Sequence, residues 1–139
     1  MDRLNTKDMV ERRHWHMDDG VFCLLCSLRT RETRNHLFFE CNFSVRIWNY
    51  LQITWSPGND MSDIVLQSKQ DFAKPFFTEV VFIACWNIWI IRNAKVFRHE
   101  RQSFNKWRSA FIHDILLMRH RVKARYKEEL LKWISFLPP

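Results

Sequence analysis

The sequence predicts a mainly α-helical fold, in which a small cysteine-rich knuckle (a short hairpin plus a helix) is followed by long helices. Two observations predict it. Gly occurs only twice and Pro four times in 139 residues, too little punctuation for a many-turned β fold. Three of the four cysteines fall within residues 23–41, while apolar residues farther along recur at helical intervals. With 47% hydrophobic and 15% aromatic residues the chain can build a core, which excludes general disorder.

Taken in order, Asn5 or Thr6 can cap a short helix over Lys7–Arg13, and His14–Gly20 reads as a polar connection. Val21–Cys26 suits a tight knuckle or short hairpin. Thr33 is a fair N-cap for a helix reaching about Cys41. A further helix over Phe43–Gln52 would pack through Val45, Ile47, Trp48 and Leu51. Trp55–Asp60 is the clearest break, because it combines Pro, Gly, Asn and Asp. A short helix over Ser62–Ser68 can follow, and Lys74-Pro75 opens the longest apolar helix, with proline where its missing N–H does no harm. Helix resumes after Ser103. Phe104, Trp107, Phe111, Ile115, Met118 and Val122 make one apolar stripe, and the helix is expected to run on past Arg119, projecting from the body or lying on a partner. The organisation that results is a metal-binding module over 1–55, a linker with a short helix over 56–73, and a helical region with a basic C-terminal helix over 74–139.

Charge is unevenly placed. Residues 1–85 carry 10 Lys+Arg against 11 Asp+Glu, a net −1, whereas residues 86–139 carry 12 against 4, a net +8. A polyanion such as RNA or DNA therefore suits the C-terminal third. Its candidate contacts are Arg92, Lys95, Arg98, Arg101, Arg119, Arg121, Lys123, Arg125 and Lys127. Tyr126 is the aromatic set within the densest basic run. The plainer alternative is that these cations solvate a helix face. The run Phe76–Ile91 is too short and too interrupted, by Glu79 and Asn87, for an ordinary membrane span, so no membrane partner is expected. The charged N-terminus lacks the apolar core of a signal peptide. An intracellular setting, the nucleus included, follows as the expectation, and there clustered Cys and His read as metal ligands rather than disulfides.

The chemistry sits in Cys23-Leu24-Leu25-Cys26, nine further residues, His36, four more, and Cys41. Zinc takes four tetrahedral thiolate and imidazole ligands in a structural site. The CxxC puts two thiolates on one turn, and HxxxxC is expected to place an imidazole and a thiolate about one helical turn apart, on nearly the same face. One structural zinc is the predicted cofactor. Its binding free energy would become folding free energy in a region with a small core. His14 and His16 are competing ligands of second rank, and Cys85 reads as a buried core residue. Four protein ligands leave no position for water or substrate, no Gly-rich phosphate loop is present, and the Asp18-Asp19 pair reads as a solvated turn; the chain is expected to be non-enzymatic, without a small-molecule substrate.

The segment CLLCSLRTRETRNHLFFECNFSVRIW resembles the zinc-binding domain of plant non-LTR (LINE-type) reverse transcriptases. Shared features are Cys23, Cys26, Glu32-Thr33, His36-Leu37-Phe38-Phe39, Cys41 and Trp48. Upstream, Asp2-Arg3-Leu4 with Glu11-Arg12-Arg13 resembles the family's leading helix. Downstream, Trp86-Asn87-Ile88-Trp89 with Arg92-Asn93 resembles a Trp-xx-Trp-xx-Arg-Asn segment that often follows the domain. The resemblance implies that Cys23, Cys26, His36 and Cys41 ligate zinc and that the chain handles RNA or DNA beside a polymerase. Neither a polymerase palm nor an RNase H segment is found in the chain. The competing class is a helical protein-interaction module, with the C-terminal helix as its contact surface, or a retroelement remnant without selected activity.

Overall fold

A computed structural model of the chain describes residues 6–7, 20–57 and 60–139. Most of the expected helix over Lys7–Arg13, the connection from His14, the histidines His14 and His16, the Asp18-Asp19 pair and Gly58 lie outside the described residues. The elements run as a knuckle over residues 21–32, a π-helical turn (His36–Glu40), α1 (Asn42–Leu51), α2 (Met61–Phe72), α3 (Phe77–Arg98), α4 (Phe104–Met118) and α5 (Ala124–Phe136).

The knuckle is a hairpin wider than the one expected. The Cys23 amide donates to the Thr30 carbonyl at 2.8 Å and the Glu32 amide to Val21 at 2.8 Å, around one antiparallel bridge between Phe22 and Arg31. Helix ends follow local chemistry. Asp60 caps α2 by accepting from the Ser62 amide (3.1 Å), and Ser103 caps α4 by accepting from Lys106 (3.3 Å). A chain so poor in glycine closes three helices with other residues in the left-handed region, namely Gln52, Ala73 and His99, at φ of 56–57°. The helix expected over Ser62–Ser68 is longer, because Asp60 starts it earlier and nothing stops it before Ala73.

α3 is long and apolar enough to cross a membrane by length and composition alone. Asn87 and Arg92 are buried beside its apolar residues. α4 packs along it, and the Trp107 indole donates to the Ala84 carbonyl at 3.2 Å. The expected stripe is present: Trp107, Phe111 and Ile115 are fully buried, with Phe104, Met118 and Val122 packed at the edge.

The expected continuation of this helix past Arg119 is not observed. α4 ends at Met118, a turn spans 119–123, and α5 folds back onto the body. The physical cause is Leu130 and Trp133. Leu130 is fully buried, and the Trp133 ring meets Phe72, Phe76 and Phe111 at centroid distances of 5.6, 5.6 and 6.5 Å. A straight helix would leave both in water, a loss on the order of 1.5–3 kcal/mol for each large apolar side chain. The Tyr50 hydroxyl then donates to the Pro138 carbonyl at 3.0 Å, tying the C-terminal segment to α1. One hydrophobic core extends from Cys23 to Leu130.

Candidate metal centre

Four side chains converge where the knuckle meets the π turn. The ligand atoms of Cys23, Cys26, His36 and Cys41 all lie within 4.8 Å of one another. Cys23 Sγ is 3.9 Å from Cys41 Sγ, and Cys26 Sγ is 3.4 Å from His36 Nε2. A tetrahedral zinc with bonds of about 2.3 Å to sulfur and about 2.0 Å to nitrogen sets these separations near ~3.8 and ~3.5 Å. The donor set and its spacing therefore fit one zinc ion. A disulfide needs sulfurs about 2.05 Å apart, so Cys23, Cys26 and Cys41 are free thiols placed as ligands.

The π turn explains how His36 and Cys41 reach one ion. In an α-helix, residues five apart point about 140° away from each other, so the expected α-helix would have separated them. The Cys41 amide instead donates to the His36 carbonyl at 2.7 Å, an i to i+5 bond that brings the two side chains round to the same side. Thr33 starts this segment as expected, its hydroxyl accepting from the His36 amide at 3.0 Å. Cys41 then turns extended (φ −59°, ψ 138°) and begins α1, where its carbonyl accepts from Val45 at 2.9 Å. The abrupt change of helix would strand two carbonyls, a cost of about 1–3 kcal/mol each if unmet. Both are met: the Ser44 hydroxyl donates to Leu37, and the Trp48 indole donates to Phe38 at 2.7 Å.

Electrostatics favour the ligating form at Cys41 and His36 and oppose it at Cys23. Backbone amides of Leu25 and Phe43 donate to the sulfurs of Cys23 and Cys41 respectively. The Cys23 thiol is raised, first because it donates to the Cys41 sulfur and then by burial, whereas that same hydrogen bond lowers Cys41. Burial pushes His36 below its ordinary value, toward the neutral imidazole that binds metals. Cys85 lies apart in α3; burial pushes its thiol up to about 12, which suits an inert core residue.

Glu32, between the second and third ligands, is fully buried and anchors the module to α3. Its carboxylate receives Arg92 through Nη2 at 2.7 Å and Nε at 3.1 Å, together with the Lys7 backbone amide at 2.6 Å. The Arg92 guanidinium also lies over the Trp89 ring at 4.7 Å and donates to Asn93 at 2.8 Å. Arg92, a candidate phosphate contact by sequence, is 1% exposed and pairs with a carboxylate. Charge count alone could not separate it from its neighbours. The signal that could have done so was its place in the Trp-xx-Trp-xx-Arg-Asn segment.

Residues 1–48 match the family model described as zinc-binding in reverse transcriptase. That zf-RVT match contains all four convergent ligands and also Glu32, Thr33 and Trp48, so the residues that support the site fall inside it with those that would hold the ion. The match is to a zinc-binding domain, and no catalytic reverse transcriptase or RNase H domain is found. No curated protein and no solved structure shows significant similarity to the chain.

The remaining candidates are dispersed. Lys95 donates to Gln102 at 2.9 Å and Arg98 pairs with Glu100 at 3.1 Å in solvent. Arg119, Arg121, Lys123 and Arg125 are exposed around the α4–α5 turn, with Tyr126 and Lys127 half-buried at the start of α5. Arg125 lies over the Tyr126 ring at 4.6 Å. They border a bend rather than one straight helical face.

Proposed function

We propose that this protein is a retroelement-derived, zinc-stabilised module that binds RNA or DNA as an accessory to reverse transcription. The observation that carries the reading is the Cys3His cluster lying inside the segment matched by zf-RVT. The net +8 of residues 86–139 and the exposed cations Arg119, Arg121, Lys123 and Arg125 around the α4–α5 turn support a polyanionic partner. α5 has no acidic residue in its first turn, so the helix dipole adds to this positive field. In this reading zinc is structural, nothing in the site turns over a substrate, and the thiolate ligands suit a reducing, intracellular setting, the nucleus included.

The test is a salt titration of RNA and DNA binding by the zinc-loaded chain. Affinity should fall steeply between about 50 and 200 mM salt. Arg121→Glu with Lys123→Glu should weaken binding to all sequences alike and flatten the salt dependence. Absence of binding at low salt would refute the proposal. It would favour the protein-interaction reading, for which the exposed Leu131 and Phe136 on α5 are the available apolar contacts.

A further inference from the structure

Among the described residues the exposed large aromatics are Phe22, Phe82, Trp86, Phe97 and Phe136, and two of them, Phe82 and Trp86, line the same cleft. They stand one turn apart on α3, 66% and 48% exposed, while Trp48 and Trp107 are 2% and 0% exposed. With Leu117 of α4, which is 61% exposed, they line a cleft of about 360 Å³ between the two helices. The cleft has two charged members. Arg121 stands at its end and belongs to the basic turn. Asp114 stands within it, with one carboxylate oxygen accepting from Asn87 at 3.0 Å.

Resting on the nucleic-acid reading above, we infer that this cleft stacks the bases of a single strand, so that the substrate class is single-stranded rather than duplex RNA or DNA. The charge distribution argues for this occupant. Exposed Arg119, Arg121, Lys123 and Arg125 offer phosphate contacts beside the cleft. Within it the aromatic faces offer stacking, which tolerates any base. Asp114 repels phosphate but can accept a hydrogen bond from the amino group of a base, as carboxylates do toward cytosine. Phosphates are thereby directed to the turn and bases to the cleft. A duplex cannot satisfy both, because its bases are already paired and stacked on one another. A second copy of this chain would bury the same aromatics but would leave the adjoining cations without a countercharge.

The experiment compares a labelled single strand of about 12 nucleotides with the duplex of the same sequence at low salt. It uses the zinc-loaded wild-type chain, Trp86→Ala and Trp86→Phe. Trp86 is half exposed, and unchanged circular dichroism and zinc content would establish that the variants fold. The single strand should bind about ten-fold tighter than the duplex, Trp86→Ala should remove most of that preference, and Trp86→Phe should retain it. Equal affinity for both forms, indifferent to Trp86→Ala, would overturn this inference and leave the nucleic-acid reading standing. No binding of either form would overturn both. A dimer that Trp86→Ala dissociates in sedimentation, with nucleic-acid affinity unchanged, would assign the cleft to self-association and refute the inference.

Discussion

Removing either member of the Glu32–Arg92 pair should damage both the fold and the metal site. The two side chains are 0% and 2% exposed and share two hydrogen bonds, at 2.7 and 3.1 Å. Glu32→Gln keeps the shape of the side chain but leaves a guanidinium charge buried against a neutral amide. Arg92→Met removes the cation and leaves a buried carboxylate with the Lys7 amide still donating to it. Breaking a buried pair in this way costs on the order of 3–5 kcal/mol. A domain of this size has only about 5–15 kcal/mol of stability, so the loss is a large fraction, equivalent to roughly 10–15 °C in Tm. The double variant, neutral at both positions, should recover part of the loss, because each single variant leaves one buried charge without the other member of the pair. Urea melts of the four proteins give the cycle. Glu32 also holds the chain between Cys26 and His36, so Glu32→Gln should weaken zinc binding about 10–100-fold in competition with a chromophoric chelator. A single-variant cost below about 1 kcal/mol, with zinc affinity unchanged, would refute the idea that the pair couples the module to α3.

Other expectations are narrower. Elemental analysis should find about one zinc per chain, and Cys41→Ser should abolish it and lower stability by several kcal/mol, read by thermal melting with and without a chelator. In metal-free protein, burial lowers the His36 pKa from its ordinary 6.5, so the unfolded chain binds the extra proton first. Stability should then decline as pH falls through about 6.5 and level off below the lowered folded value, and His36→Gln should remove that decline in melts across pH. Ala73 sits at φ 57° as the C-terminal cap of α2, its amide donating to Lys69 at 3.1 Å. Ala73→Gly should raise stability by about 0.5–1 kcal/mol in urea unfolding, since a Cβ is disfavoured there.

Much of the metal centre was legible because ligand chemistry is local. Zinc accepts few donor types, and CxxC with HxxxxC names four of them without reference to the rest of the fold. The helix cap at Thr33 was legible for the same reason: a hydroxyl reaches an amide three residues along its own chain. The π turn was not legible. It depends on Ser44 and Trp48 from α1 satisfying carbonyls that an α-helix would not have released. Arg92 shows the same limit. Its sequence neighbourhood is cationic, and only the approach of Glu32, 60 residues away, turns it from a surface charge into half of a buried pair.

The sequence by itself determined the helical class, the four convergent ligands and the concentration of positive charge after residue 86, because each follows from residue type and short-range spacing. Tertiary structure decided where the helices end and which side chains remain outside. Leu130 and Trp133 could be buried only by bending the chain at 119–123, which sets the cations Arg119 to Arg125 around a turn. That same packing leaves Phe82 and Trp86 beside Arg121, in a cleft between α3 and α4 that nothing among the described residues fills. Burial is a competition among all apolar surfaces for a limited interior, and a local pattern cannot reveal which of them lose.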